Sequence, residues 1–243
     1  MKIFIEKVKN IYSKQQFNPT FVGIFINPLY FIRKGLYSTI KNYSKNLKGV
    51  LLDFGCGNKP YKSLFQVDKY IGLDIEKSGH DHCDEEIDIF YDGIKIPFEN
   101  DFFDSIFSSE VLEHLFNPEE IIKELSRVLK KGGFLLITCP FVWDEHEVPF
   151  DSTRYTSYGL KNLIEKNGFN ILYFEKTTNY IEAIFQMLAA YVNQHVLPKN
   201  KYFNFLFNII FVPPIIISGI ILSRILPKNK NFYSNNVVLA TKK

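Results

Sequence analysis

Residues 49–61 read GVLLDFGCGNKPY, an apolar run that stops at an acid, Asp53, and two glycines, Gly55 and Gly57. A short apolar run bounded by turn residues marks an interior strand of a parallel sheet. Glycines at its carboxyl end let the chain turn sharply and let a ligand touch the main chain. In an open α/β sheet ligands sit at that edge, so the stretch predicts a small-molecule site.

The pattern continues on both sides. YIGLDI (70–75), a short run inside EEIDIFYDG, FDSIFSS (103–109), FLLITCP, NILYFEKT and the C-terminal NNVVLATKK read as further strands. PEEIIKELSRVLKKGG reads as a helix, with Pro118 in its first turn, early acids, late lysines and a stop at Gly132 and Gly133. YTSYGLKNLIEKNGF is another helix with a glycine stop. Strands alternating with helices predict a doubly wound, Rossmann-like α/β fold with a mostly parallel sheet. Residues 1–47 read as helical, broken at Asn18-Pro19 and Asn27-Pro28. The expected organisation is a helical segment over 1–47, a ligand-binding domain over 48–178 and 233–243, and an apolar helical insertion over 179–232.

Composition narrows the partners. The 243 residues carry a net charge of +3 and no long basic stripe, so nucleic acid is not expected as a partner. Cys56, Cys83 and Cys139 are too few and too scattered for a disulfide frame or a zinc knuckle, which suits a reducing compartment. MKIFIEKVKNIYSKQQ has no long apolar core, so it is not read as a signal peptide; Ile3, Phe4, Val8, Ile11 and Tyr12 share one face of an expected packing helix. The location expected is cytoplasmic, peripheral on the inner face of a membrane.

The ligand follows from charge. A dinucleotide site needs G-x-G-x-x-G/A before a helix N-terminus, and here Pro60 stands where the third glycine belongs. That counts against an NAD-dependent epimerase or dehydrogenase. The sheet edge instead carries acids: Asp53, Asp74 at the end of the second strand and Asp92 after the third. Acids repel phosphate and attract a cation, and S-adenosylmethionine (SAM) is an adenosine with an ammonium, a sulfonium and no phosphate. Asp74 is spaced to hold ribose hydroxyls. Any one of these acids read alone is equally well a turn cap.

LLDFGCG, YIGLDI, YDGIKIPFENDFFDSIFSSEVLEHL and ELSRVLKKGGFLLITCPF, in this order and spacing, resemble a class I SAM-dependent methyltransferase of the type-11 group over about residues 48 to 178. The resemblance implies that Asp53, Gly55 and Gly57 line the methionine end and that Asp74 holds the ribose. It implies that Asp92 faces the adenine amine, with Ser108, Ser109 and Glu110 flanking the cofactor. It also implies a last, seventh strand running antiparallel.

Methyl transfer to a hydroxyl needs alignment, exclusion of water and a base. The loop CPFVWDEHEVPFDSTRYTSYGL supplies candidates. His146 is the expected base, since histidine titrates near neutrality. Asp151 or Glu145 would orient it, Arg154 would grip the acceptor, and Trp143 and Tyr155 would stack on a sugar face. Asp151 and Arg154, three apart, equally fit a pair that braces the loop. Glu113-His114 is a second candidate; the resemblance places it at the cofactor edge, in a positioning part. HDHCDEE (80–86) mixes ligand types at poor spacing and reads as a solvated loop, and no metal is expected.

The stretch YFNFLFNIIFVPPIIISGIILSRIL is uncharged from Tyr202 to Ser223. Pro213-Pro214 predicts two helices of about ten residues, a re-entrant or interfacial hairpin over 202–226 with basic residues at its mouths. A dimer interface or a lid fits the same residues. The resemblance to enzymes of bacterial surface-glycan pathways implies O-methylation of a sugar hydroxyl, on a glycan or a lipid-linked intermediate. Methylation of a small molecule or quinone, and a non-catalytic SAM-binding scaffold at a membrane, are the alternatives.

Overall fold

All seven expected strands form, in one sheet, in a computed structural model that describes residues 12–76 and 86–243. They are β1 (Val50–Phe54), β2 (Lys69–Ile75), β3 (Ile89–Tyr91), β4 (Phe103–Ser109), β5 (Leu129–Pro140), β6 (Phe169–Lys176) and β7 (Asn235–Lys242). The order is β3-β2-β1-β4-β5-β7-β6. β1 pairs in parallel with β2 and β4, and β4 with β5, while β7 runs antiparallel to β5. Strand order reverses between β1 and β4, so the crevice outside their carboxyl ends is the topological switch point where such sheets bind ligands.

The chain forms two compact units. One comprises residues 39–175 and 235–243 and holds most of the sheet. Its core packs Leu52, Phe54, Leu73, Ile106, Leu135 and Ile137 from the strands against Ile122, Leu125, Leu160 and Ile164 from two helices, α2 (Pro118–Val128) and α3 (Ser157–Lys166). Thr156 caps α3 by accepting from the Gly159 N–H at 3.1 Å.

α2 ends earlier than the glycine stop predicts. It closes at Val128, and Leu129 already pairs with Phe103 as the first residue of β5. The main-chain N–H groups of Asp101 and Phe102 take the last carbonyls, Arg127 and Val128. Gly132 and Gly133 instead carry an irregularity inside β5, where the register to β4 shifts; Gly132 has φ +73°.

The other unit comprises residues 1–38 and 176–234. Its described part contains α1 (Tyr30–Tyr43, which runs on past residue 38), α4 (Tyr180–Tyr191) and α5 (Lys201–Ile225). The expected break at Asn27-Pro28 is built by the Asn27 side chain, which accepts from the Leu29 N–H and donates to the Gln15 carbonyl, both at 2.8 Å. Asn179 and Glu182 form a reciprocal cap on α4.

The two short helices expected around Pro213-Pro214 are in fact one helix of 25 residues, α5. Proline's fixed φ is itself helical; its cost is a missing N–H and crowding of the carbonyl four residues back. Packing along one stripe outweighs that here. Asn208, Val212, Ile216, Gly219 and Ser223 are buried, Gly219 lies against Phe185 and Phe31, and Asn204 bonds Asn193. Those pairings, 193 with 204 and 185 with 219, make α4 and α5 antiparallel. The hairpin expected inside residues 202–226 is therefore absent from these described residues, and α5 instead packs antiparallel against α4.

Candidate active site

Three strand ends build the first half of the site. Gly55 leaves β1 with φ +70° and donates its N–H to the Leu73 carbonyl at 2.8 Å; a Cβ there would run into the Val111 side chain. Gly57, φ +43°, donates its N–H to Asp74 Oδ2 at 2.8 Å, and Asp74 Oδ1 accepts from the Ile75 N–H at 2.8 Å. The glycine turn is thus tied to the end of β2, and the tie runs through the acid expected to hold the ribose.

Asp53 is buried, 3% exposed, and its Oδ2 accepts a short hydrogen bond from the Tyr70 hydroxyl. Burial pushes its carboxyl up to about 7; the Tyr70 bond opposes this and the Asp74 charge adds to it. Burial and the Asp53 charge raise the Tyr70 phenol in turn. Neither Tyr70 nor the Lys59–Asp88 pair stands out in the sequence. Lys59, buried, reaches Asp88 Oδ2 at 2.8 Å, and the same oxygen accepts from the Gly72 N–H at 2.6 Å. Burial raises Asp88, yet these two donors bring it below the usual carboxylate range. The signal for Tyr70 lay in the register: Asp53 pairs with Gly72, which puts Tyr70 two residues back on the same face.

Asp92 stands at the same sheet edge after β3, but its carboxylate is taken by the N–H groups of Ile94 and Lys95, at 2.9 and 3.0 Å, in an exposed turn. Those bonds hold it below the usual range. Ser108 is buried at the end of β4 with a hydroxyl that makes no hydrogen bond among the described residues. Ser109 bonds Thr138 at 2.9 Å. Glu110, with φ +58°, accepts from Thr138 and from Asn235 Nδ2, at 2.7 and 2.6 Å, and so links the ends of β5 and β7.

The second half lies past β4 and β5. The Glu113 carbonyl accepts from the Ser152 and Thr153 N–H groups, at 2.8 and 3.2 Å, and this pins the loop after β5 to the turn Leu112–His114. His114 and His146 meet edge to face, ring centres 4.9 Å apart. Asp151 binds Arg154 through both oxygens at 2.5 and 2.6 Å, accepts from the His146 N–H at 3.0 Å, and lies 3.2 Å from His146 Nδ1. Arg154 holds the Asp151 carboxyl near 2. Arg154 also reaches the Asp144 carbonyl at 2.9 Å, so its fork braces the loop. Glu145 is exposed, while Asp151 sits at the imidazole. Tyr155 is packed into the core rather than offered to a ligand, because Asn236 ties its carbonyl under the sheet edge at 2.8 Å; Trp143 is half-buried.

Glu113 is 1% exposed, and burial with the Glu110 charge pushes its carboxyl up. Burial holds His114 below its ordinary value, against the pull of Glu147. Of HDHCDEE, residues 80–85 lie outside the described residues, as do Ile3, Phe4, Val8 and Ile11 of the N-terminal helix.

Residues 52–137, from β1 into β5, match the type 11 methyltransferase domain (Methyltransf_11). That stretch of the chain is similar to a methyltransferase domain. Its fold and that match are those of a SAM-dependent methyltransferase core, and SAM is the cofactor of that core. The chain is 35% identical over 125 residues to the tRNA (carboxymethyluridine(34)-5-O)-methyltransferase of Arabidopsis thaliana, covering 49% of this chain and 30% of that protein. It is 33% identical over 72 residues to the mitochondrial ubiquinone biosynthesis O-methyltransferase of Dictyostelium discoideum, covering 29% and 21%. The chain thus spans under a third of the length of these relatives. Phosphoethanolamine N-methyltransferase 2 of Haemonchus contortus, solved with SAM, shares the fold with TM-score 0.53 at 18% identity, covering 94% of this chain and 59% of that one.

Proposed function

We propose that this protein transfers the SAM methyl group to a hydroxyl of a small amphipathic acceptor presented at a membrane surface. In this reading Asp53, Gly55 and Gly57 receive the methionine end and Asp74 the ribose. Asp92 keeps a place at the adenine end through the turn it builds, and Ser108 and Ser109 border the cofactor. The observation that carries the reading is the switch-point edge itself, where a buried carboxylate raised to about 7 is positioned to gain from a cationic ligand. Deprotonation of the acceptor turns on His146, whose Nδ1 faces Asp151 and the Asp144 carbonyl, leaving Nε2 for chemistry.

The membrane half of the proposal rests on α5. It is apolar all round, yet only 28% of its apolar window is buried. Phe203, Leu206, Ile210, Ile217, Ile221 and Ile225 form an exposed stripe opposite the packed one. A helix apolar on both faces calls for an apolar environment on the outer one. Charge agrees. Residues 1–38 and 176–234 contain 12 Lys and Arg against two acids, out of 29 against 26 in the whole chain, leaving 17 against 24 for the other unit. A basic composition beside an exposed apolar stripe suits an anionic bilayer.

The relatives' names include small-molecule methyltransferases, one of them in ubiquinone biosynthesis, and tRNA methyltransferases, and none names the sugar hydroxyl of a glycan or lipid-linked intermediate, so a quinone precursor is the acceptor proposed here. Radiolabelled SAM incubated with lipid extract, nucleotide sugars and bulk tRNA tests the acceptor: label in the lipid extract supports the reading, and label in sugar or tRNA replaces it. His146→Ala should abolish labelling while S-adenosylhomocysteine still binds. Phe203→Glu with Ile210→Glu should cut flotation with phosphatidylglycerol vesicles at least ten-fold; unchanged flotation would remove the membrane argument.

A further inference from the structure

Glu113 and His114, which the methyltransferase reading leaves unused, cluster with His146. One ligand atom from each lies within 4.8 Å of the others. Glu113 is almost completely buried, and among the described residues its Oε2 accepts no hydrogen bond. A buried carboxylate oxygen without a donor is costly unless a cation completes it. Glu113 Oε1 lies 3.9 Å from His114 Nε2, and Glu147 Oε1 lies 3.8 Å from the same nitrogen on the other side. We propose that Glu113, His114 and His146 bind a divalent transition-metal ion, Zn2+ or Mn2+, with Glu147 at its border.

The surroundings fit that assignment. His146 turns Nδ1 to Asp151 Oδ2 at 3.2 Å and to the Asp144 carbonyl at 3.1 Å. A carboxylate on the far nitrogen is the outer-shell arrangement that fixes a metal-binding histidine, and it leaves Nε2 as the ligand. Arg154 stays compatible with a nearby cation because Asp151 pairs with it through both oxygens. Bonds of about 2.0–2.2 Å place tetrahedral ligand atoms about 3.4 Å apart, so the cluster needs to close by about 1 Å. His146 stands on a loop between β5 and α3, while Glu113 and His114 stand on a turn fixed by Ser152 and Thr153. Two histidines and one carboxylate leave a position open for an exogenous oxygen.

The proposal deepens the reading of the same site and rests on it. With Nε2 on the ion, His146 serves deprotonation as a ligand and not as the base itself: the acceptor hydroxyl takes the open position and loses its proton to water, because the ion lowers its pKa. An oxygen lone pair then forms the O–CH3 bond. The S–CH3 bond breaks with its pair left on sulfur, giving neutral S-adenosylhomocysteine.

The test is calorimetry on the full chain after chelation, titrating ZnCl2 or MnCl2 alone and, separately, S-adenosylhomocysteine. The expected result is one equivalent of one of the two ions, weakened at least ten-fold in Glu113→Gln and in His146→Ala, with S-adenosylhomocysteine affinity kept within about three-fold. His146→Ala lies on a half-exposed loop and guards against a fold defect in the buried variant. A wild-type protein that binds S-adenosylhomocysteine but neither ion overturns the metal site and leaves the methyltransferase reading standing, as does ion binding equal in wild type and both variants. Ion binding without S-adenosylhomocysteine binding sinks the methyltransferase reading and keeps the site.

Discussion

Asp53 should couple cofactor binding to pH. Its folded-state carboxyl lies at about 7, raised by burial from an ordinary value of 3.8. A ligand ammonium binds the ionised form, so apparent affinity scales with the ionised fraction. That fraction is about one tenth at pH 6 and nine tenths at pH 8, so S-adenosylhomocysteine should bind about ten-fold tighter at pH 8. Calorimetry at pH 7 in two buffers of different ionisation enthalpy should show release of about half a proton per ligand. Asp53→Asn should bind weakly with no such slope. Tyr70→Phe removes the hydrogen bond that favours the carboxylate, so its midpoint should move upward. The stability of the ligand-free protein carries the opposite sign. The folded carboxyl is raised, so its contribution is full below about 4 and lost as pH rises through 7. The full shift corresponds to about 4 kcal/mol at most. Asp53→Asn should therefore melt above wild type at pH 8 and level with it at pH 4. Affinity flat from pH 6 to 8, with no buffer-dependent heat, would refute the placement of a cation at Asp53.

Two further outcomes follow from the geometry. Gly55→Ala forces a side chain into the left-handed region, at about 1–2 kcal/mol, and into Val111; differential scanning calorimetry should show a lower Tm, and S-adenosylhomocysteine affinity should fall at least ten-fold. Arg154→Ala leaves the Asp151 carboxylate, its side chain 3% exposed, without its partner, at a cost of about 3–5 kcal/mol in urea unfolding. Because Arg154 depresses Asp151 to about 2, the stability of the pair is present above pH 4 and fades as pH falls toward 2. The variant should lack that acid limb, and Asp151→Asn in the same chain should restore part of the loss.

Period and punctuation made the sheet legible. Apolar runs that stop at Gly55, Glu76, Asp92, Glu110 and Pro140 mark the carboxyl ends of β1 to β5. Leu129 is not legible as a strand residue because residues 129–133 carry two lysines and two glycines, the composition of a helix end. What decides their place is the pairing of Leu129 with Phe103 across the sheet, a contact no local window contains. Asp92 illustrates the same limit within the site. Its position at the strand end was readable, but the choice between a ligand and the N–H groups of Ile94 and Lys95 depends on how tightly the next three residues turn. Arg154 met the plainer of its two readings for a similar reason, since a partner three residues away was already within reach of its fork.

The cofactor acids show why counting charges at an edge overstates their number. Asp74 is committed to the Gly57 and Ile75 N–H groups, and Asp88 to Lys59 and the Gly72 N–H. These two carboxylates shape the turn that a ligand must enter. Asp53 differs: it is held by a neutral phenol, buried, and raised, whereas Asp88, bonded to a lysine, is lowered. A charge kept partly unformed at the switch point is stabilised when a cation arrives, whereas Asp88 already has its cation. In the function proposed above, the preference for a cationic nucleoside therefore resides in Asp53, and the others fix where that residue meets it.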